Sequence, residues 1–156
     1  MLKPAILKSC AVLALVWLSA CSQGFLRVTD PDGTVTSWHF SSDVGGKILW
    51  SVLTPQDLAT VPDWDPSQPN RAPLELDEAI RIARADLGRY VSDSSTWEVG
   101  NLQIDRLTGS KWVILVSWVP TDPNVKGTLR IPVLPSGRAV PLEEIKVNVG
   151  DEAAGT

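Results

Sequence analysis

Residues 111–119 read Lys-Trp-Val-Ile-Leu-Val-Ser-Trp-Val, and this run limits the possible folds more than any other stretch of the chain. β-Branched and aromatic side chains favour extended backbone. Alternate side chains of a strand point to opposite faces, so Trp112, Ile114, Val116 and Trp118 share one face and Val113, Leu115 and Val119 the other. A strand with one face in water alternates apolar with polar residues. This one is apolar on both faces, so each face needs a cover. A helix over residues 76–90 can supply one. The simplest cover for the second is the N-terminal segment with Trp38, Trp50 and Trp64; the rival is a partner protein.

The helix follows from periodicity. Leu76, Ala79, Ile80, Ala83 and Leu87 fall on one helical face. Asp77 and Glu78 lie in its first turn and Arg84 and Arg89 late, the order that suits the helix dipole. Asp77 and Arg81 are spaced as an i,i+4 ion pair, and Gly88 is a stop signal. The arginines are expected to form a solvated face. Residues 96–107 alternate, but Trp97 and Val99 have the opposite parity to Leu102 and Ile104; a bulge at Gly100 puts all four on one face. Thr108-Gly109-Ser110 predicts a hairpin turn into 111–119. Further strands are expected at 128–134 and 139–141, with Pro132 requiring an open side on the first.

Upstream, residues 26–29 and 34–40 flank Asp30-Pro31-Asp32-Gly33, a turn sequence. Gly45-Gly46 predicts a second turn and residues 47–53 a strand. Thr54 and Pro55 are suited to the N-cap and first position of a short helix. Residues 61–73 hold four prolines, which remove backbone donors and exclude regular structure. The expected organisation is a leader at 1–20, an N-terminal β segment at 21–60, a proline-rich connector at 61–73, an α+β domain at 74–149 and a frayed tail at 150–156. The fold class is α+β: one helix packed on an antiparallel sheet of three to four strands, with an N-terminal β-hairpin segment.

Residues 1–20 have the grammar of an export signal: Lys3 and Lys8, then the apolar run 10–18, then the small residues Ser19 and Ala20. That run is too short to span a hydrocarbon core, which takes about 20 helical residues. Leu18-Ser19-Ala20-Cys21 resembles the lipobox of bacterial lipoproteins. The resemblance implies cleavage between Ala20 and Cys21, a diacylglyceryl group on the Cys21 thiol, and a membrane partnership through that lipid. Ser22 after the cysteine, where Asp would retain, implies an outer-membrane address facing the periplasm in a Gram-negative cell. Losing Lys3 and Lys8 with the leader takes the formal charge from −4 to −6. An acidic chain without a Lys/Arg cluster has no footprint for nucleic acid. Cys10 leaves with the leader and lipid consumes Cys21, so thiol catalysis and zinc–thiolate sites are excluded.

Leu76-Asp77-Glu78-Ala79-Ile80 at the helix start, Gly109-Ser110-Lys111-Trp112 with Val116 in the central hairpin, and Val133 through Gly137 to Val140 at the close resemble the PepSY domain over residues 74–141. The family usually carries a Tyr or Trp deeper in the hairpin strand and an Asp before the last glycine turn; here that region is Leu134-Pro135-Ser136. The resemblance implies an inhibitory or binding module of the cell envelope.

The residues point to no chemistry of their own. His39 is the only histidine, and it sits in a strand pattern between Trp38 and Phe40 with no Gly-x-Ser-x-Gly elbow anywhere. Asp30 with Asp32, and Asp63 with Asp65, match no calcium loop and read as turn carboxylates. No phosphate-binding glycine loop occurs, so no metal and no cofactor is expected. Tryptophan is the enriched residue, with six of seven after residue 20. Trp112 and Trp118 are expected in the core. Trp64, between acidic residues and prolines, is the leading surface candidate, with Trp38 and Trp50 beside it as a binding surface. The expectation is a lipid-anchored, non-enzymatic envelope protein binding a protein or peptide. The alternative is a structural lipoprotein docking a fixed partner through an apolar sheet face, and a hydrolase is third.

Overall fold

The computed structural model describes residues 25–65, 67–68 and 72–145. Its elements run β1 (Leu26–Thr29), β2 (Val35–Val44), β3 (Lys47–Leu53), α1 (Pro55–Ala59), α2 (Leu76–Leu87), a 3-10 turn (Ser94–Thr96), β4 (Trp97–Thr108), β5 (Lys111–Pro120), β6 (Gly127–Leu134), β7 (Arg138–Ala139) and β8 (Glu143–Glu144). The class is α+β, with one main helix and an open antiparallel sheet of eight strands ordered β4-β5-β6-β2-β3-β8; β1 pairs with β2 and β7 with β6. That is more strands than the three to four expected beside a hairpin. The N-terminal strands join the main sheet, and the two-residue strands β7 and β8 are too short to carry an alternation pattern.

Turn chemistry sets the registers. The Asp30 carboxylate accepts the backbone N–H groups of Asp32 (3.0 Å) and Thr34 (2.8 Å), and Gly33 takes φ +81° to close the β1–β2 turn. Gly45 and Gly46 both have positive φ, +58° and +80°, so Val44 pairs with Lys47 across a two-residue turn that matches strand twist. α1 has a full capping box: the Thr54 hydroxyl accepts the Asp57 N–H, and the Asp57 carboxylate accepts the Thr54 N–H at 2.9 Å. α2 ends at Leu87 with Gly88 as its C-cap, at the stop signal read in the sequence and three residues short of 90. Its Arg81 pairs with Glu78, not with Asp77.

The Gly100 bulge is present: Val99 pairs with Trp118, but Asn101 pairs with Ser117. Buried Trp97 and half-buried Val99, Leu102 and Ile104 therefore pack into one cluster with Ile114, Val116 and Trp118 of β5, Leu129, Ile131 and Val133 of β6, and Ala79, Ala83 and Leu87 of α2. A Cβ at Gly100 would lie 2.8 Å from Val119 Cγ1, so the bulge needs glycine for space. Fully burying a side chain of Leu or Ile size contributes about 1.5–3 kcal/mol, and this cluster holds the helix to the sheet.

The second face of β5 is covered from within the chain. Val113 and Leu115 pack with Trp38 and Phe40 of β2, Leu53 of β3, Leu58 of α1, and Val61, Leu107, Leu134 and Val140. This requires the sheet to fold over on itself. β2 pairs with β6 only at Asp43–Thr128 and Val44–Gly127. It then leaves β6, and the buried Ser42 hydroxyl fills the gap, accepting the Arg130 N–H at 2.8 Å and donating to the Arg130 carbonyl at 3.3 Å. Gly127 sits at φ +119° where a Cβ would lie 2.1 Å from the Asp43 carbonyl oxygen; only glycine lets the two strands meet there. Pro132 faces the same edge of β6. That edge is not left open as expected: β7 pairs beyond it, and the Val140 N–H donates to the Pro132 carbonyl at 2.8 Å.

Candidate functional site

The candidate surface is the outer face of the β1–β2–β3–β8 strands. Cross-strand partners share a face, and the register aligns Leu26 with His39, His39 with Val52, and Trp50 with Glu143. While the inner residues of β2 and β3 enter the cores, this face keeps apolar side chains in the open. Leu26, Ile48, Val52 and Ile145, each 40–45% exposed, are four of the six large hydrophobic residues exposed among the described ones, and the strand register places them on this one face.

At its centre is a groove of about 460 Å³ lined by His39, Trp50, Val52, Pro141, Glu143, Glu144 and Ile145. The floor comes from β2 and β3, the wall from the segment entering β8. Tyr90 holds that wall: its hydroxyl accepts the Leu142 N–H at 3.0 Å and donates to Asp86 at 3.0 Å. Burial raises the Tyr90 pKa, so the phenol stays a donor. The Lys47–Glu144 pair, 3.3 Å, ties the start of β3 to β8. The His39 ring meets Trp50 edge-on at 5.6 Å between centroids.

The structure sorts the predicted residues. Ala20 and Cys21 lie outside the described residues. Trp50 is half-buried in the groove floor. Trp38 is 1% exposed and Trp64 7%, so neither offers the surface expected of it. Trp38 has the inward parity of β2. Trp64 is drawn in because the connector is pinned: its N–H donates to the Ser110 carbonyl (3.0 Å), Asp63 accepts from the Ser110 hydroxyl (2.6 Å) and pairs with Lys111 (3.0 Å), and its ring rests on Trp112 at 6.1 Å. Those two donors hold the Asp63 carboxyl below its ordinary range. Asp65 caps its own turn through Ser67. The Asp30 and Asp65 carboxylates are thus committed to their own turns and Asp63 to Ser110 and Lys111, and no group of three metal-ligating side chains occurs among the described residues.

His39 has one hydroxyl partner, Ser37 Oγ, 2.8 Å from Nε2. Nδ1 is covered and has no partner among the described residues. The ring lines the groove floor.

Sequence reasoning missed Pro141, Glu143, Glu144 and Ile145, because a two-residue strand leaves no periodic signal. It also missed Arg84, which is not a purely solvated arginine. Its guanidinium lies over the Trp118 ring at 4.3 Å and donates to the Trp97 carbonyl at 3.2 Å. No helix among the described residues is long and apolar enough to cross a membrane. Comparison with protein-family models, with curated proteins and with solved structures finds no match to this chain.

Proposed function

We propose that this protein is a lipid-anchored component of the bacterial cell envelope, a non-catalytic module of PepSY-like type that binds a protein or peptide beside the membrane, on the periplasmic side of the outer membrane in a Gram-negative cell. The observation that carries the binding role is the groove over His39, Trp50 and Val52, an apolar floor left uncovered on a face whose reverse side is core. The anchor reading rests on Leu18-Ser19-Ala20-Cys21. Two features bring them together. Three residues lie between Cys21 and Phe25, so the four steps of chain reach at most roughly 14 Å. Leu26 then lies on the groove face, directly across from His39. A ligand at this face is therefore met close to the lipid. The PepSY-like reading draws support from a helix at Leu76–Leu87 followed by the antiparallel β4–β5–β6 strands it packs on.

The structural alternative has less support, since the apolar strand face that called for a fixed partner is covered by β2, β3 and α1. Two measurements test the proposal. Labelled palmitate should be incorporated into the wild-type protein and not into Cys21→Ser; equal labelling refutes the anchor. The chain from Ser22 onward holds both cores and can be panned against a random peptide library. Enriched peptides should perturb backbone amide resonances of residues 48–52 and 142–145. Enrichment mapping elsewhere, or none, refutes the groove as the binding site.

A further inference from the structure

We infer that the groove takes an extended segment whose alternate side chains, all on one face, include apolar residues and a basic one, laid along the edge of β3 beyond Trp50 with its cation at Glu143. This rests on the reading of the groove as a peptide site.

Three observations specify the ligand. The first is the chemistry of the floor. The Trp50 Nε1 and His39 Nδ1 atoms are covered, so the floor presents carbon and asks for an apolar side chain. The second is the edge. β8 stops at Glu143, opposite Trp50, and Pro141 before it has no N–H to donate. The Ile145 N–H bonds to the Ile48 carbonyl, which fixes Ile48, Trp50 and Val52 as the residues whose backbone groups point outward from β3. Beyond Trp50 that edge has no strand partner among the described residues. An incoming extended chain can add there through main-chain hydrogen bonds while alternate side chains fill the groove. The third is charge. Glu144 is paired with Lys47, but Glu143 makes no ion pair among the described residues and shares the face of Trp50. Its carboxylate, on a chain of formal charge −6 after the leader, selects a cation. The same carboxylate argues against a phospholipid surface as the occupant, since headgroup phosphates would meet Glu143.

The test uses the chain from Ser22 onward and three labelled, end-blocked peptides that keep the variable side chain on the face of the valines: Val-Thr-Lys-Thr-Val, Val-Thr-Ser-Thr-Val and Val-Thr-Glu-Thr-Val. Binding is read by fluorescence anisotropy and located by amide chemical shifts. The lysine peptide should bind about threefold to fivefold more tightly than the serine peptide, the reach of one exposed charge pair, and the glutamate peptide more weakly still. Glu143→Gln should remove that preference and leave the serine peptide unchanged. Equal binding of all three at residues 48–52 overturns the basic-ligand inference but leaves the peptide site standing. No binding of any peptide overturns both. Shifts at the same residues with phosphatidylcholine vesicles and with none of the peptides assign the face to lipid and overturn the inference.

Discussion

The two faces of the β2–β3 hairpin are built from similar residues and do different work. Inward, Trp38, Phe40 and Leu53 are at most 1% exposed and close the second core against Val113 and Leu115 of β5. Outward, Trp50, Val52 and Ile48 are just as apolar, yet Val52 and Ile48 stay 44% and 43% exposed and Trp50 is only half-buried. Hydrophobicity alone does not separate the faces; strand parity does, together with the point at which β2 leaves β6. Apolar residues are common on protein surfaces. A contiguous group of them around a groove, on the back of a buried face, is a surface suited to a partner.

Substitutions on the two faces should therefore separate stability from binding. Trp38→Ala removes a large, fully enclosed side chain and should lower unfolding free energy by about 3–5 kcal/mol, measured by urea denaturation. A loss below about 1 kcal/mol would mean the hairpin does not close the core. Gly127→Ala should cost about 3 kcal/mol or more, because it combines a positive φ with a clash against the Asp43 carbonyl. Ser42→Ala is smaller, about 1–3 kcal/mol, since it leaves the Arg130 backbone groups without a partner where the sheet folds over.

Smaller still is the cap on α1. The Asp57 carboxyl is held below its ordinary range, chiefly by the Thr54 side-chain hydrogen bond and then by the Thr54 N–H. A group whose folded pKa is depressed contributes stability that is present above its unfolded pKa and lost as pH falls through the folded value. Stability should therefore decline on the acid side of about pH 4, and Thr54→Ala, costing about 1 kcal/mol at neutral pH, should flatten the part of that decline due to Asp57. An unchanged acid limb in Thr54→Ala would contradict the capping assignment.

What was legible in the sequence was local. The Gly100 bulge, the Gly45-Gly46 turn, the Thr54 cap and the two-sided burial of residues 111–119 each follow from a few adjacent residues, and the structure has all of them. What was not legible depends on contacts between distant segments. Trp64 sits among acidic residues and prolines, a solvent-like context, but the Ser110 and Lys111 side chains bind Asp63 and draw the ring in. The groove wall at Pro141–Ile145 exists because Tyr90 and Lys47, far upstream, hold that segment. The candidate site was thus half readable: Trp50 and His39 could be singled out as residues, but not the side of the sheet on which they meet.

The central claim, that the outer face binds and does not support the fold, is tested most directly with Val52→Arg. This side chain is 44% exposed and lies in the groove floor. The measurement is the affinity of a groove-selected peptide for this variant, taken alongside its melting temperature. The account predicts a melting temperature within about 2 °C of wild type and at least about a tenfold loss of peptide affinity, the size expected when a charge is forced into an apolar contact. Unchanged affinity at unchanged stability would contradict it.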